Sequence, residues 1–203
     1  FARKGGYTGM EDYRWAILRG RMRPWQFQLF NLFFIIAYQM TLLVLITLPA
    51  MVAARHPSAM TGWDVLFIAA FLAFLAGETI ADQQQWVFHQ RKKAAGGTLS
   101  PGFATTGLFR YSRHPNFFFE QAQWWAFYAL GASAAVSGGA GLVGGALNPT
   151  IVGAVLLSLL FIGSTIFTES ITAAKYPAYA EYRRTTSMLV PWAPRRSAVA
   201  PQT

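Results

Sequence analysis

The stretch WQFQLFNLFFIIAYQMTLLVLITLPAMV, residues 25–52, holds no charged side chain and decides the class of fold. A helix crosses the hydrocarbon core of a bilayer with roughly 17–25 apolar residues. Lipid offers no partners to backbone groups, so only helices or closed barrels span it. Comparable runs follow at Trp63–Ala81, Phe117–Val136 and Ile151–Phe167. None alternates with the two-residue period of a barrel strand. The reading is all-α: a polytopic transmembrane helical bundle with four visible spans. Composition agrees, since 54% of the 203 residues are hydrophobic and only 12% are charged, half the roughly 25% of a soluble domain. The absence of cysteine rules out a disulfide-stapled fold, thiolate metal ligands and a cysteine nucleophile.

The net charge of +9 raises the possibility of nucleic acid, and its distribution answers it. Arg3, Lys4, Arg14, Arg19, Arg21 and Arg23 precede the first span. Arg91, Lys92, Lys93, Arg110 and Arg113 lie between the second and third, and Lys175, Arg183, Arg184, Arg195 and Arg196 follow the fourth. Only Arg55 falls on the other side. This is the positive-inside pattern. It places both ends and the Arg91–Arg113 loop in the cytoplasm and leaves no need for nucleic acid. Residues 1–196 read as a single domain and 197–203 as a loose tail. The chain opens on Phe1 with no signal segment, so we expect a fragment or processed chain whose upstream spans are not shown.

Punctuation residues set the order of elements. Pro24 suits the first turn of the first span, and His56-Pro57-Ser58 turns the chain on the outer side. The second span runs on into Asp82–Lys93, so its helix projects into the cytoplasm. Residues 94–107, with Gly96-Gly97 and Pro101-Gly102, form a loop, and Pro115 opens the third helix. Ser137–Asn148 is a short outer turn, and the last helix breaks near Pro177. Trp25, Trp63, Trp86 and Trp192 read as interfacial anchors.

Acids within spans mark function or a hidden partner. Glu78 and Asp82 share one face of the second span. Asn116 and Glu120 are likewise four apart on the third, and Glu169 ends the fourth. Their common depth points to a polar pocket open to the cytoplasm; interfacial acids reaching water or a nearby arginine would explain each singly. Arg110-Tyr111-Ser112-Arg113-His114-Pro115-Asn116 precedes a helix start, where free N–H groups and the dipole favour phosphate. Contact with lipid headgroups is the competing explanation. Tyr176, Tyr179 and Tyr182 with Arg183-Arg184 suit an amphipathic interfacial helix. The histidines show no metal-ligand spacing.

The segment Gly107–Glu120, GLFRYSRHPNFFFE, followed by Trp124-Trp125, resembles a signature of bacterial membrane proteins related to the steroid 5-alpha-reductase C-terminal domain. Glu78–Asp82 with the two glutamines that follow is similar to the upstream acidic helix of that family. Glu11–Trp15 and Thr186–Trp192 are similar to its flanking segments. Sterol reductases and isoprenylcysteine carboxyl methyltransferases are more distantly similar through Arg113-His114-Pro115. The resemblance implies an integral oxidoreductase, in a bacterial inner membrane, that moves a hydride from NADPH to a carbonyl-conjugated double bond of a lipid-like substrate. It implies that Glu78, Asp82, Asn116 and Glu120 line the nicotinamide end of the pocket. Arg110, Tyr111, Arg113 and His114 would lie near the phosphates, with Tyr182 and Arg183 as further contacts.

The family commonly has glycine where Phe119 stands and another small residue where Ala126 stands. No residue is matched to a catalytic acid. Two alternatives follow: a non-catalytic subunit that keeps the scaffold and packs in a larger membrane complex, and an S-adenosylmethionine-dependent methyltransferase. Membrane lipid, a hydrophobic small molecule and other membrane subunits are the expected partners.

Overall fold

The computed structural model describes residues 13–195. Arg3, Lys4, Glu11, Asp12, Arg196 and the expected tail at 197–203 lie outside the described residues. The chain divides into two compact units, Phe1–Val44 and Leu45–Thr203.

In the first unit, α1 (Tyr13–Arg21) leads to α2 (Pro24–Phe30), which opens on proline as expected and continues as π-helical turns over Asn31–Tyr38. Gln26 accepts from the Arg23 N–H at 2.9 Å, satisfying a donor that a helix start leaves free. Aromatic residues recur every three or four positions, which stacks Phe30 on Phe34 at 4.9 Å and Phe34 on Tyr38 at 5.6 Å between centroids.

In the second unit, α3 (Gln39–Arg55, shared with the end of the first) leads to a turn, and α4 (Gly62–Ala94) begins behind a capping box. Thr61 accepts from the Asp64 N–H at 3.3 Å, and Asp64 accepts from the Thr61 N–H at 2.7 Å. At 1.5 Å per residue, α4 is about 50 Å long against roughly 30 Å of hydrocarbon. That leaves room for its last turns, carrying Arg91, Lys92 and Lys93, outside an apolar layer of that thickness. A loop leads to α5 (Pro115–Ala135), opened by the expected proline. The chain then winds through a kink at Gly139 into the short α6 (Leu142–Ala146). The long α7 (Ile151–Lys175) then ends one residue before Tyr176-Pro177, and α8 (Tyr179–Thr185) follows.

No strand occurs among the described residues; the fold is an all-helical membrane bundle. Three helical runs are long and apolar enough to cross a membrane, Pro24–Arg55, Gly62–Ala94 and Leu142–Lys175, where the sequence suggests four. The difference is α5. It is a helix where expected, but Glu120, Gln121 and Gln123 lower its hydropathy, and it is the better shielded element. Gln123, Ala126, Tyr128, Gly131, Ala132 and Ala135 are all buried on it. A polar helix is tolerated at this depth because α4 and α7 cover it. Small residues allow the close approach. A Cβ on Gly131 would stand 2.6 Å from the Pro49 carbonyl oxygen, and one on Gly153 equally near the Leu45 backbone.

Candidate functional site between α4, α5 and α7

The antiparallel packing of α4 and α5 joins their polar residues in rungs. Gln123 donates its amide to the Glu78 carboxylate, and Asn116 donates to Asp82 Oδ1 at 3.2 Å. Both acids are half-buried. The helical period explains the pairing, because positions 116, 120 and 123 recur at four and then three residues and so share one face of α5. Glu120 stands on that face, half-buried, between the two amides. An amide partner leaves a carboxylate its charge while fixing its direction, which suits recognition of hydroxyl and amide donors on a ligand.

Phe119 enters the same seam. Its ring lies over Gly77, where an added Cβ would meet three ring carbons at 2.7–2.8 Å. Phe74 and Phe118 flank it at centroid distances of 6.4 and 5.3 Å. On the far side of these rings an apolar groove of about 640 Å³ runs between α4 and α5, with Leu66, Phe67, Ala70, Ala122 and Ala129 among its walls.

The two arginines before α5 differ in their surroundings. Arg113 is paired with a carboxylate. Its Nε donates to Glu169 Oε1 at 2.6 Å and its Nη2 to Oε2 at 3.1 Å. His114 Nε2 lies 3.2 Å from the same carboxylate, and Arg183 Nε 3.4 Å from its other oxygen. Nor are the backbone donors free. The Arg113 and His114 N–H groups donate to the carbonyls of Ser187 and Met188 at 2.8 and 3.2 Å. Residues 186–195 thus form a strap across the start of α5, held further by the fully buried Ser112, which donates to the Leu189 carbonyl at 2.6 Å. Arg110 and Tyr111 are exposed. Tyr182 donates to the Phe109 carbonyl and so ties α8 to the loop. Burial holds the Tyr182 phenol well above its ordinary range; burial, then the Glu169 charge, does the same for Tyr179.

A cleft of about 480 Å³ with mixed polar and apolar walls lies along α4 just beyond Asp82. Gln83, Val87, Phe88 and Arg91 of α4 form one wall, and Ser100, Phe103, Thr105 and Thr106 of the loop are on the other. Gln84 holds the loop by accepting from the Leu108 N–H at 2.8 Å. Lys92 holds it again, donating to the Gly102 carbonyl at 2.7 Å and to the Tyr176 hydroxyl at 2.6 Å. The Lys92 ammonium also draws the Tyr176 phenol below its ordinary range. Gly102 has φ of 93° and lies against the Tyr176 ring, so no side chain fits there.

Sequence reasoning therefore misses Gln123, the role of Glu169 and this cleft. Gln123 had a legible signal, its place three residues after Glu120. The partners of Glu169 come from distant segments and leave no local pattern.

A family described as "Protein of unknown function (DUF1295)" matches residues 1–186. The uncharacterized protein C594.04c of the fission yeast Schizosaccharomyces pombe is 38% identical over 199 residues, covering 90% of this chain and 56% of that protein. The chain thus spans little more than half the length of this relative. No solved structure is significantly similar.

Proposed function

The chain belongs to the DUF1295 family, and on that premise we propose that it is an integral membrane oxidoreductase using NADPH to reduce a carbonyl-conjugated double bond of a hydrophobic, lipid-like substrate. The bacterial inner membrane, with both termini cytoplasmic, is part of this proposal. The observation that carries it is the pair of carboxylate–amide rungs, Glu78–Gln123 and Asp82–Asn116, held between two packed helices. Ionisable groups at the edge of a membrane span are costly to bury and mark function when they face other helices. A ligand that uses them offsets that cost.

The residues fit the cofactor in two parts. Carboxylates at Glu78 and Asp82, with Glu120 between the amides, suit ribose hydroxyl and carboxamide donors and repel phosphate. Arg91 with Ser100, Thr105 and Thr106 in the adjoining cleft suits phosphate oxygens, and Phe88 and Phe103 offer ring faces. Glu78 and Arg91 are about 20 Å apart along α4, so the two parts serve an elongated ligand. This moves the phosphate end from Arg113 and His114 to the cleft.

NADPH supplies the hydride when bound. The protein contributes placement: amides orient the acids, the acids orient the ligand, and lipid-facing aromatic rings keep water from the reacting end. The apolar groove behind Phe74 and Phe118 offers a hydrocarbon chain a path from the bilayer to the seam.

A second reading rests on the packing of Phe119 over Gly77. If that ring stays in the seam, the scaffold is kept without a nicotinamide seat, and the chain is a non-catalytic subunit of a membrane complex. Titration of NADPH into the purified chain in nanodiscs separates the two. The reductase reading expects saturable binding, weakened by Glu78→Gln or Asp82→Asn in the folded protein. Absence of binding by a preparation that retains its helical spectrum favours the subunit.

A further inference from the structure

Glu169 lies near the end of α7 with its side chain only 4% exposed, and its carboxylate ties α7 to the loop before α5 and to α8. Arg113 from the loop before α5 grips both oxygens, His114 approaches one, and Arg183 of α8 the other. Arg113 Nη1 extends the network to the carbonyls of Arg183, at 3.0 Å, and Thr186, where the strap begins. Buried ion pairs add little net stability over well-packed apolar residues, so stability alone gives no reason for this cluster. Its geometry gives another. Residues 113 and 114 are fixed through side chains on Glu169 and through backbone N–H groups on the strap. The next residue is Pro115, fully buried and with its φ restricted by the ring. The residue after that is Asn116, whose amide directs Asp82. Little slack separates the Glu169 carboxylate from the Asp82 rung.

We infer that Glu169 is a positioning residue for the nucleotide seam: by clamping Arg113 and His114 it sets the first turn of α5 and, through Asn116, the direction of the Asp82 carboxylate. The inference rests on the reductase reading for its ligand but not for its geometry, and its test keeps the two apart. The full chain in nanodiscs is compared as wild type, Glu169→Gln, Glu169→Asp and Arg113→Lys, each with and without Asn116→Ala. NADPH affinity and thermal midpoint are both read. Losing a well-aligned hydrogen bond to a charged group costs roughly ten- to a hundredfold in affinity. Glu169→Gln is expected to raise the NADPH Kd about tenfold or more, with Glu169→Asp restoring much of it. In the thermal cycle, Asn116→Ala should lower Tm less in the Glu169→Gln background than in wild type, because the rung is already loosened. If Glu169→Gln does not fold, Arg113→Lys serves in its place, since lysine keeps the charge but loses the two-pronged grip.

Additive Tm losses would overturn the inference whether or not NADPH binds. So would an unchanged Kd in Glu169→Gln when wild type binds NADPH. A wild type that binds no NADPH refutes the reductase reading instead, and the thermal cycle still judges Glu169.

Discussion

Replacing Gly77 by alanine tests the α4–α5 seam at its tightest point. The new methyl carbon would stand 2.7 Å from two ring carbons of Phe119 and 2.8 Å from a third, inside normal van der Waals contact. The ring has little room to yield, with Phe118 at 5.3 Å and Phe74 at 6.4 Å on its flanks. Overpacking of this kind costs about 1–3 kcal/mol. Alanine also returns about 1 kcal/mol of helix propensity relative to glycine, so the net loss is about 0–2 kcal/mol. In a Phe119→Ala background the clash is gone and only the propensity gain remains. Gly77→Ala should then become stabilising by up to about 1 kcal/mol. The coupling of about 1–3 kcal/mol corresponds to roughly 2–12 °C in thermal midpoint at this chain length. Thermal unfolding of the four proteins in one detergent measures it. Equal Gly77→Ala effects in both backgrounds would refute the packing of Phe119 against this glycine.

Two other predictions concern the loop end of the bundle. Tyr182 has a phenol raised by burial, so its contribution is fully present below the unfolded value near pH 10 and is lost as pH rises through the still higher folded value. Tyr182→Phe should cost about 0.5–1.5 kcal/mol at neutral pH and flatten the alkaline fall of Tm; an unchanged alkaline slope contradicts the burial. Lys92→Met should raise the Tyr176 titration toward the usual tyrosine range, read as an ultraviolet difference against Tyr176→Phe. It should also expose the loop at residues 95–106 to protease. Unaltered titration and unaltered cleavage together would remove Lys92 as the fastening of that loop.

Much of the fold is legible locally. Apolar runs gave the long helices, Pro24 and Pro115 marked helix starts, and Asp82–Lys93 read as a helical projection because no breaker interrupts it. The status of α5 was not legible in the same way. A run with Phe117, Trp124 and Trp125 looks like a span, and whether its glutamate and glutamines face lipid or other helices depends on packing. The rungs were half legible: spacing placed Glu78 with Asp82 and Asn116 with Glu120, but which amide meets which acid follows from the register of two helices. The carboxylate partner of Arg113 and His114 was not legible for a chemical reason. A guanidinium beside an imidazole suits any oxyanion, and the nearest one is a carboxylate 56 residues away in the chain. The strap that caps their N–H groups comes from about 75 residues further on, beyond any local pattern.

The most direct measurement is an experimental structure of the full chain solved with NADPH in lipid. The account predicts the nicotinamide end beside Asp82 and Asn116, the Phe119 ring moved off Gly77, and the phosphates next to Arg91 in the cleft. A nucleotide seated elsewhere, or a Phe119 ring still resting on Gly77 at saturating NADPH, would contradict it.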